Sequence, residues 1–234
     1  MDRKKRSRLN NRGSALVSVL VVTVFISIIA TTMLYVSAQN YQMKYTDYQN
    51  KQSFYGAEKA LDSLKALLVA DVEDAHLEAY QEVMKNYNTS AQERQKCYQE
   101  TYLEKLEEIW GGRLTAGAAP EQMAEELQNF MIANGVDAEV AQRIYKVDGY
   151  AVISTASSVS TIGKQFVLIG VRSKYTSGNY TTFLYTDIGF SLPELDLSAD
   201  SYLSVSPGSS SDRDLIALTD YVVYMNWRKA DYDE

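Results

Sequence analysis

Residues 14–43, SALVSVLVVTVFISIIATTMLYVSAQNYQM, contain no charged side chain, and the rest of the chain is organised around them. Within this window the run Ala15–Val36 is nearly all apolar or hydroxyl-bearing. At about 1.5 Å per residue, an α-helix of that length crosses a bilayer core of about 30 Å. The sequence therefore predicts one membrane-spanning helix over 15–36.

A basic leader, residues 1–13, precedes this run. It holds six of the 23 Lys and Arg residues but only one of the 30 acidic residues, so the remaining chain carries a net charge of −12. Basic flanks stay on the cytoplasmic side of a membrane, which predicts a cytoplasmic amino terminus and an extracytoplasmic carboxyl-terminal domain. The acidic remainder argues against nucleic-acid binding, which requires cations that neutralise phosphates.

The helix is predicted to continue beyond the membrane, as one long helix over 14–70. No Pro or Gly occurs from Ser14 to Tyr55, and apolar residues past Met43 recur at steps of three and four, as in an amphipathic helix over 41–68. One stripe contains Phe54, Ala57, Leu61, Leu64 and Leu68, and a second contains Tyr41, Tyr45, Tyr48 and Tyr55.

The leader ending in Gly13, the charge-free run and the amphipathic segment Phe54–Leu61 resemble a type IV pilin precursor. The likeness is greatest to PilX-type minor pilins and to the pseudopilins of type II secretion systems, and it covers residues 1–70. In that family a prepilin peptidase cleaves after the glycine, which implies cleavage between Gly13 and Ser14. The resemblance also implies contacts with other pilin subunits through the N-terminal helix, with an inner-membrane assembly platform and with membrane lipid.

Two positions depart from the family pattern. The first mature residue is Ser14 where the family usually has Phe, and the fifth is Ser18 where it usually has Glu. In the family that Glu meets the amine of a neighbouring subunit inside an apolar filament core, where an unpaired charge is costly. Because Ser18 cannot neutralise a neighbour, the resemblance implies a position at or near the filament tip, in few copies.

The tyrosine stripe allows two interpretations. Tyr41, Tyr45 and Tyr48 could pack against the chain's own globular domain, or between neighbouring rods in a filament. Their distance along the helix from the predicted sheet favours the second interpretation.

Residues 71–144 are predicted to form a helical insertion, the first part of which, Ala70–Asn88, could be continuous with the long helix. Ser90 and Glu93 have the spacing of a capping box, and Gly111 and Gly112 are suited to end the helix that follows. The predicted helices run from Ala91 to Trp110, from Pro120 to about Ala133, and from a cap at Asp137 to Ile144.

Residues 145–234 are predicted to form an antiparallel sheet. The strands are expected at Tyr150–Thr155, Gln165–Lys174, Tyr180–Phe190 and Tyr221–Arg228, because these runs are rich in β-branched and aromatic residues and are separated by Gly and Ser. The sheet requires a cover for its apolar face. Phe54, Leu61, Leu64 and Leu68 are predicted to supply it, which makes the chain a lollipop-shaped α+β protein with a four-stranded sheet.

No constellation of catalytic, cofactor-binding or metal-ligating residues stands out. The one histidine, His76, is predicted to lie on a solvated helix face, and the one cysteine, Cys97, to be inert. Asp196 with Asp200, or Asp212 with Asp214, could bind calcium in the Ser-rich loop 192–220, although the spacing does not match an EF-hand and surface solubility is favoured.

The sequence thus predicts a structural protein rather than an enzyme. The leading interpretation is a minor pilin or pseudopilin that is held in the cell membrane and then drawn into an extracellular filament. The alternative is a single-pass, membrane-anchored extracellular binding or sensor domain that does not assemble.

Overall fold

The computed structural model describes residues 11–86, 88–154, 164–192 and 221–230. The chain divides into two compact units, Met1–Gln49 and Asn50–Glu234. The described elements are one long helix, three shorter helices and an open antiparallel sheet, so the protein belongs to the α+β class.

Helix α1 comprises Asn11–Lys85 without a break. It continues past residue 70, so the predicted start of the helical insertion at 71 falls inside the helix. The reason is that the apolar stripe does not stop at Leu68: Val72, Ala75, Ala79 and Val83 follow at steps of three and four and are buried.

Helix α2 comprises Ala91–Arg113 and begins as the sequence predicts. The Ser90 amide donates to Glu93 Oε2 at 3.0 Å, and the Glu93 amide donates to Ser90 Oγ, which completes the capping box. The predicted stop at Gly111 and Gly112 is wrong, because the helix continues to Arg113. Neither glycine adopts positive φ, and the last residue, Arg113, is held by an ion pair to α1.

Two shorter helices follow, α3 at Pro120–Ala133 and α4 at Ala138–Ala141. Gly135 follows α3 with φ of 87°, and the Asp137 side chain accepts the Glu139 amide at 2.7 Å to cap α4. The prediction that α4 extends to Ile144 is wrong. Ile144 instead enters the sheet opposite Ser173, where its side chain is buried.

The sheet in the described residues has five strands rather than the predicted four. They are β1 (Ile144–Lys146), β2 (Gly149–Ser154), β3 (Lys164–Ser177), β4 (Tyr180–Phe190) and β5 (Val222–Ala230). Strand β3 pairs antiparallel with β4 along one edge, and with β1 and β2 in succession along the other, and β4 pairs with β5. Strand β1 could not be predicted from the sequence because three residues are too few to show alternation.

The run Phe166–Ile169 of β3 lacks alternation, which predicts a strand buried on both faces. Phe166, Val167 and Leu168 are buried, whereas Ile169 is partly exposed. The ring of Phe166 lies edge-on to Phe190 with centroids 5.3 Å apart, and Phe190 in turn meets Trp110 of α2 at 6.2 Å. This aromatic cluster continues the helical core into the sheet.

Candidate functional site

The apolar run of α1 is exposed throughout the described structure. Its large side chains, such as Leu16, Phe25 and Leu34, keep between about half and three quarters of their surface accessible. The helix has an 18-residue window of mean hydropathy 2.5, none of it buried. By length and composition this run fits a single membrane anchor.

Four hydroxyl-bearing side chains within the run find acceptors inside the helix. The hydroxyls of Thr23, Ser27 and Thr31 donate to the carbonyls four residues earlier at 2.8 Å, as does Thr32. In a bilayer core an unsatisfied polar group is costly. These bonds make the four Ser and Thr side chains compatible with hydrocarbon.

The residues at the predicted cleavage point lie within the helical part of the structure. Gly13 and Ser14 belong to α1, and Ser18 is exposed one turn later. Residues 1–10 of the leader lie outside the described residues. The cleavage of this peptide bond, and the role of Ser18 in assembly, stay predictions.

The tyrosine stripe is exposed in the unit Met1–Gln49. Tyr41, Tyr45 and Tyr48 are 70%, 52% and 63% accessible, and the Tyr41 and Tyr45 rings lie nearly parallel with centroids 6.4 Å apart. Each ring therefore offers both apolar area and a hydroxyl for further contacts. Tyr55, the last member of the stripe, lies in the other unit and is also exposed.

The predicted core residues of α1 face the inside of the second unit. Leu61, Leu64 and Leu68 are fully buried, as are Val167 and Leu168 of β3. Phe54 is half-buried and its ring lies edge-on to Trp227 of β5 at 5.7 Å.

Hydrogen bonds attach residues 52–57 of α1 to the sheet. The Ser53 and Thr182 hydroxyls lie 2.7 Å apart, and Ser173 Oγ donates to the Ala57 carbonyl at 2.9 Å. Ser177 Oγ donates to Gln52 Oε1 at 3.0 Å. These serines and the threonine could not be identified from the sequence, because only the pairing register of β3 with β4 shows which of their side chains face the helix.

Gly56 creates a close contact between α1 and β3. A Cβ on this glycine would overlap the Tyr175 ring. The guanidinium carbon of Arg143 lies 4.2 Å from the centroid of the Tyr175 ring, and Arg143 Nη1 donates to the Gly56 carbonyl at 2.7 Å. The glycine in the segment Phe54–Leu61 is thus required by packing.

A buried ion pair joins α1 to α2. Asp71 is 3% exposed, and Arg113 binds both of its oxygens, with Nη2 donating to Oδ1 at 2.7 Å. Burial raises the pKa of Asp71 although Arg113 opposes the shift. The guanidinium carbon of Arg113 also lies 4.0 Å from the centroid of the Phe130 ring in α3, so the pair connects three helices.

The prediction of a solvated His76 is wrong. The side chain is half-buried, and Nδ1 lies 2.7 Å from the hydroxyl of buried Tyr98. Burial lowers the pKa of His76, and the smaller effect of the Glu73 charge opposes this shift. This contact could not be predicted from the residues around His76, because Tyr98 belongs to α2.

Within the described ranges no group of three or more His, Cys, Asp or Glu side chains could hold a metal ion. Cys97 is a free thiol, half-buried. Asp196, Asp200, Asp212 and Asp214, the residues considered for calcium, lie outside the described residues, as do residues 193–220 of the predicted loop 192–220.

Comparisons of the chain with known protein families, with curated proteins and with solved structures give no significant match.

Proposed function

We propose that the protein is a structural subunit of a type IV pilus or of a type II secretion-like filament, that is, a minor pilin or pseudopilin. The observation that carries the proposal is that two parts of α1 have different roles. Its first part is a charge-free, fully exposed apolar run, and its residues 53–83 supply one side of the core of an α+β unit. A helix built in this way is suited to move between lipid and a bundle of like helices, since both bury its apolar surface.

Assembly would rest on the N-terminal helices of neighbouring subunits. The exposed run Ala15–Val36 provides apolar packing surface, and the stripe Tyr41, Tyr45 and Tyr48 extends it beyond the membrane. Before assembly the protein would be a single-pass membrane protein with a cytoplasmic leader. Partners would be other subunits, the prepilin peptidase and the assembly platform.

The test of processing is the mass of the protein from its native membrane. We expect a mature chain that begins at Ser14, and we expect Gly13→Leu to leave the leader attached, because a bulky side chain obstructs the scissile bond. Gly112→Leu is the matched control, since a Cβ at Gly112 meets nothing within 4 Å. An intact Met1 in the wild type, or a terminus beyond Val36, contradicts the proposal.

The alternative is a membrane-anchored binding or sensor domain, which the exposed apolar helix accommodates equally well. It differs in two measurable respects: the precursor keeps its leader, and the protein forms no filament.

Within the filament, the uncharged Ser18 leads us to place this subunit at or near the tip. Immunogold labelling of sheared filaments tests the position, and dense label along the shaft contradicts it. Ser18→Glu should be tolerated in the membrane only where the new carboxylate meets a cation or a proton.

A further inference from the structure

One side of α1 changes from apolar to polar where the predicted membrane-spanning run ends. The residues on this side recur at steps of three and four, so their side chains are neighbours on the helix surface. They line a shallow recess within the unit Met1–Gln49. We define the helix recess by six of its residues, Met33, Val36, Ser37, Asn40, Tyr41 and Lys44.

The two ends of the helix recess differ in chemistry. Met33 and Val36, at the end nearer the amino terminus, are apolar and exposed. The other end carries hydrogen-bond donors on four neighbouring side chains, those of Ser37, Asn40, Tyr41 and Lys44. An acyl chain suits the first end. A phosphate group suits the second, because its oxygens accept from hydroxyl, amide and ammonium groups.

In the proposed anchor, the polar end of the helix recess lies at the depth of the extracytoplasmic headgroups. The charge-free window, residues 14–43, spans about 45 Å as a helix, which matches a bilayer together with its headgroups. Lys44 is the first charged residue after this window. Tyr41 lies beside it, and tyrosine is typical of the boundary between membrane and water.

The side chain of Lys44 can reach the membrane surface. It is exposed, and helical side chains lean towards the amino terminus of their helix, which here is the membrane side. Its four methylenes allow the ammonium to extend along the helix. The first acidic residue, Asp47, lies about 4.5 Å further along the axis and has one methylene. A phosphate at the membrane surface therefore meets the ammonium before the carboxylate.

We propose that the helix recess binds one phospholipid of net negative charge in the extracytoplasmic leaflet. The phosphate lies between Asn40 and Lys44, and an acyl chain lies along Met33 and Val36. A headgroup with its own cation, such as choline, would place like charges together beside Lys44, so the site favours anionic lipids. The inference rests on the membrane anchor in the proposed function and concerns the subunit before assembly. The recess shares only Tyr41 with the tyrosine stripe, which leaves the rest of the stripe available to a neighbouring subunit.

Quenching of tryptophan fluorescence by brominated lipids measures this preference. Full-length protein with Met33→Trp is reconstituted in vesicles of phosphatidylglycerol and phosphatidylcholine, in which one lipid or the other carries brominated acyl chains. Tyr35→Trp is the matched control, because both positions are exposed at nearly the same depth but point about 200° apart around the helix. Trp110 and Trp227 lie in the other unit and give the same background in both variants.

We expect phosphatidylglycerol to be enriched about fivefold at position 33, the effect of one lysine near a membrane surface, and not at position 35. Adding Lys44→Gln should reduce the enrichment to that of the control. Lys44→Arg should preserve it, since a guanidinium also binds phosphate. Lys44 is exposed, so both variants should keep the wild-type melting temperature.

Three results would overturn the proposal. The first is equal enrichment at positions 33 and 35, which indicates a general attraction of the lipid to the protein. The second is enrichment that survives Lys44→Gln. The third is a position 33 that neither lipid quenches while position 35 is quenched, which means that a second copy or another helix covers the recess.

The lipid site and the proposed function fail in different ways. Loss of the lipid preference in a protein whose native form begins at Ser14 refutes the lipid site alone. A preserved preference in a protein whose native form keeps its leader refutes the proposed function alone.

Discussion

The backbone amide of Gly170 donates to Asp187 Oδ1 at 2.7 Å, across two neighbouring strands of the sheet. Asp187 lies in β4 opposite an extra residue in β3, and the pairing of β4 with β5 shifts beside it as well. On the β5 side, Asn226 has φ of 53° and donates to Asp187 Oδ2 at 2.6 Å. One buried carboxylate thus satisfies donors at the irregularities of both flanking strands.

Asp187→Asn should destabilise the fold by about 1–3 kcal/mol, because an amide offers one acceptor oxygen and leaves either the Gly170 amide or the Asn226 side-chain amide unpaired. Chemical denaturation of the detergent-solubilised chain measures the change. Asp74→Asn, at an exposed helix position, is the control and should have little effect. Equal stability of the two variants would show that water replaces the carboxylate at the bulges.

Gly170→Ala should cost more than Gly117→Ala. Both glycines have positive φ, 66° and 78°, which an alanine adopts at a cost of about 1 kcal/mol. A Cβ at Gly170 would also overlap the Asp148 carboxylate, whereas one at Gly117 meets nothing within 4 Å. The difference between the two free energies of unfolding isolates that overlap, and no difference would mean that Asp148 moves aside freely.

Gly56→Ala should destabilise the protein, whereas Gly112→Ala should not, although both glycines lie within helices. Alanine at Gly112, which has open space, should stabilise the helix by up to about 1 kcal/mol. At Gly56 the added methyl meets the Tyr175 ring, and overpacking costs about 1–3 kcal/mol. Opposite signs for the two changes in melting temperature are expected. A stabilising Gly56→Ala would show that the helix and β3 are not packed as closely as described.

Arg113→Met should be more damaging than Asp71→Asn at neutral pH. Arg113→Met leaves the buried carboxylate of Asp71 without its cation, which costs about 3–5 kcal/mol. Asp71→Asn costs less, because Arg113 is partly exposed and water can solvate its guanidinium. Parallel denaturation curves of the two variants give the comparison.

The pH dependence of Arg113→Met has a definite sign. The pKa of Asp71 is raised in the folded state, so the fold binds this proton more tightly than the unfolded chain and loses stability as pH rises from the ordinary value of 3.8 towards the raised one. Arg113→Met removes the group that opposes the shift, so its deficit relative to wild type should grow over this window. Asp71→Asn should abolish the trend. A deficit independent of pH would mean that Asp71 is solvated in the variant.

Leu61→Ala should cost about 2–5 kcal/mol, the range for truncating a fully buried leucine. Leu77→Ala is the matched control on the same helix, because Leu77 is 48% exposed. If both variants unfold at the same denaturant concentration, α1 does not form the core of the second unit.

The sequence by itself determined the elements whose signals are local. A charge-free apolar run, a stripe at steps of three and four, the Ser90–Glu93 box and alternating β-branched runs depend on neighbours within a few residues, so α1, the start of α2 and four of the five strands could be predicted. Its likeness to pilin precursors is a pattern of this local kind and remains a proposal. The burial of Leu61, Leu64 and Leu68 also follows from their spacing.

Only the tertiary structure decided the features that depend on partners distant in the chain. Gly111 and Gly112 stay helical because Arg113, which follows them, is paired with Asp71. Ile144 belongs to a strand because it pairs with Ser173 of β3. His76 is partly buried because Tyr98 lies against it. Such partners lie 22 to 42 residues apart in the sequence and become neighbours only when helices and strands pack, so no local propensity specifies them.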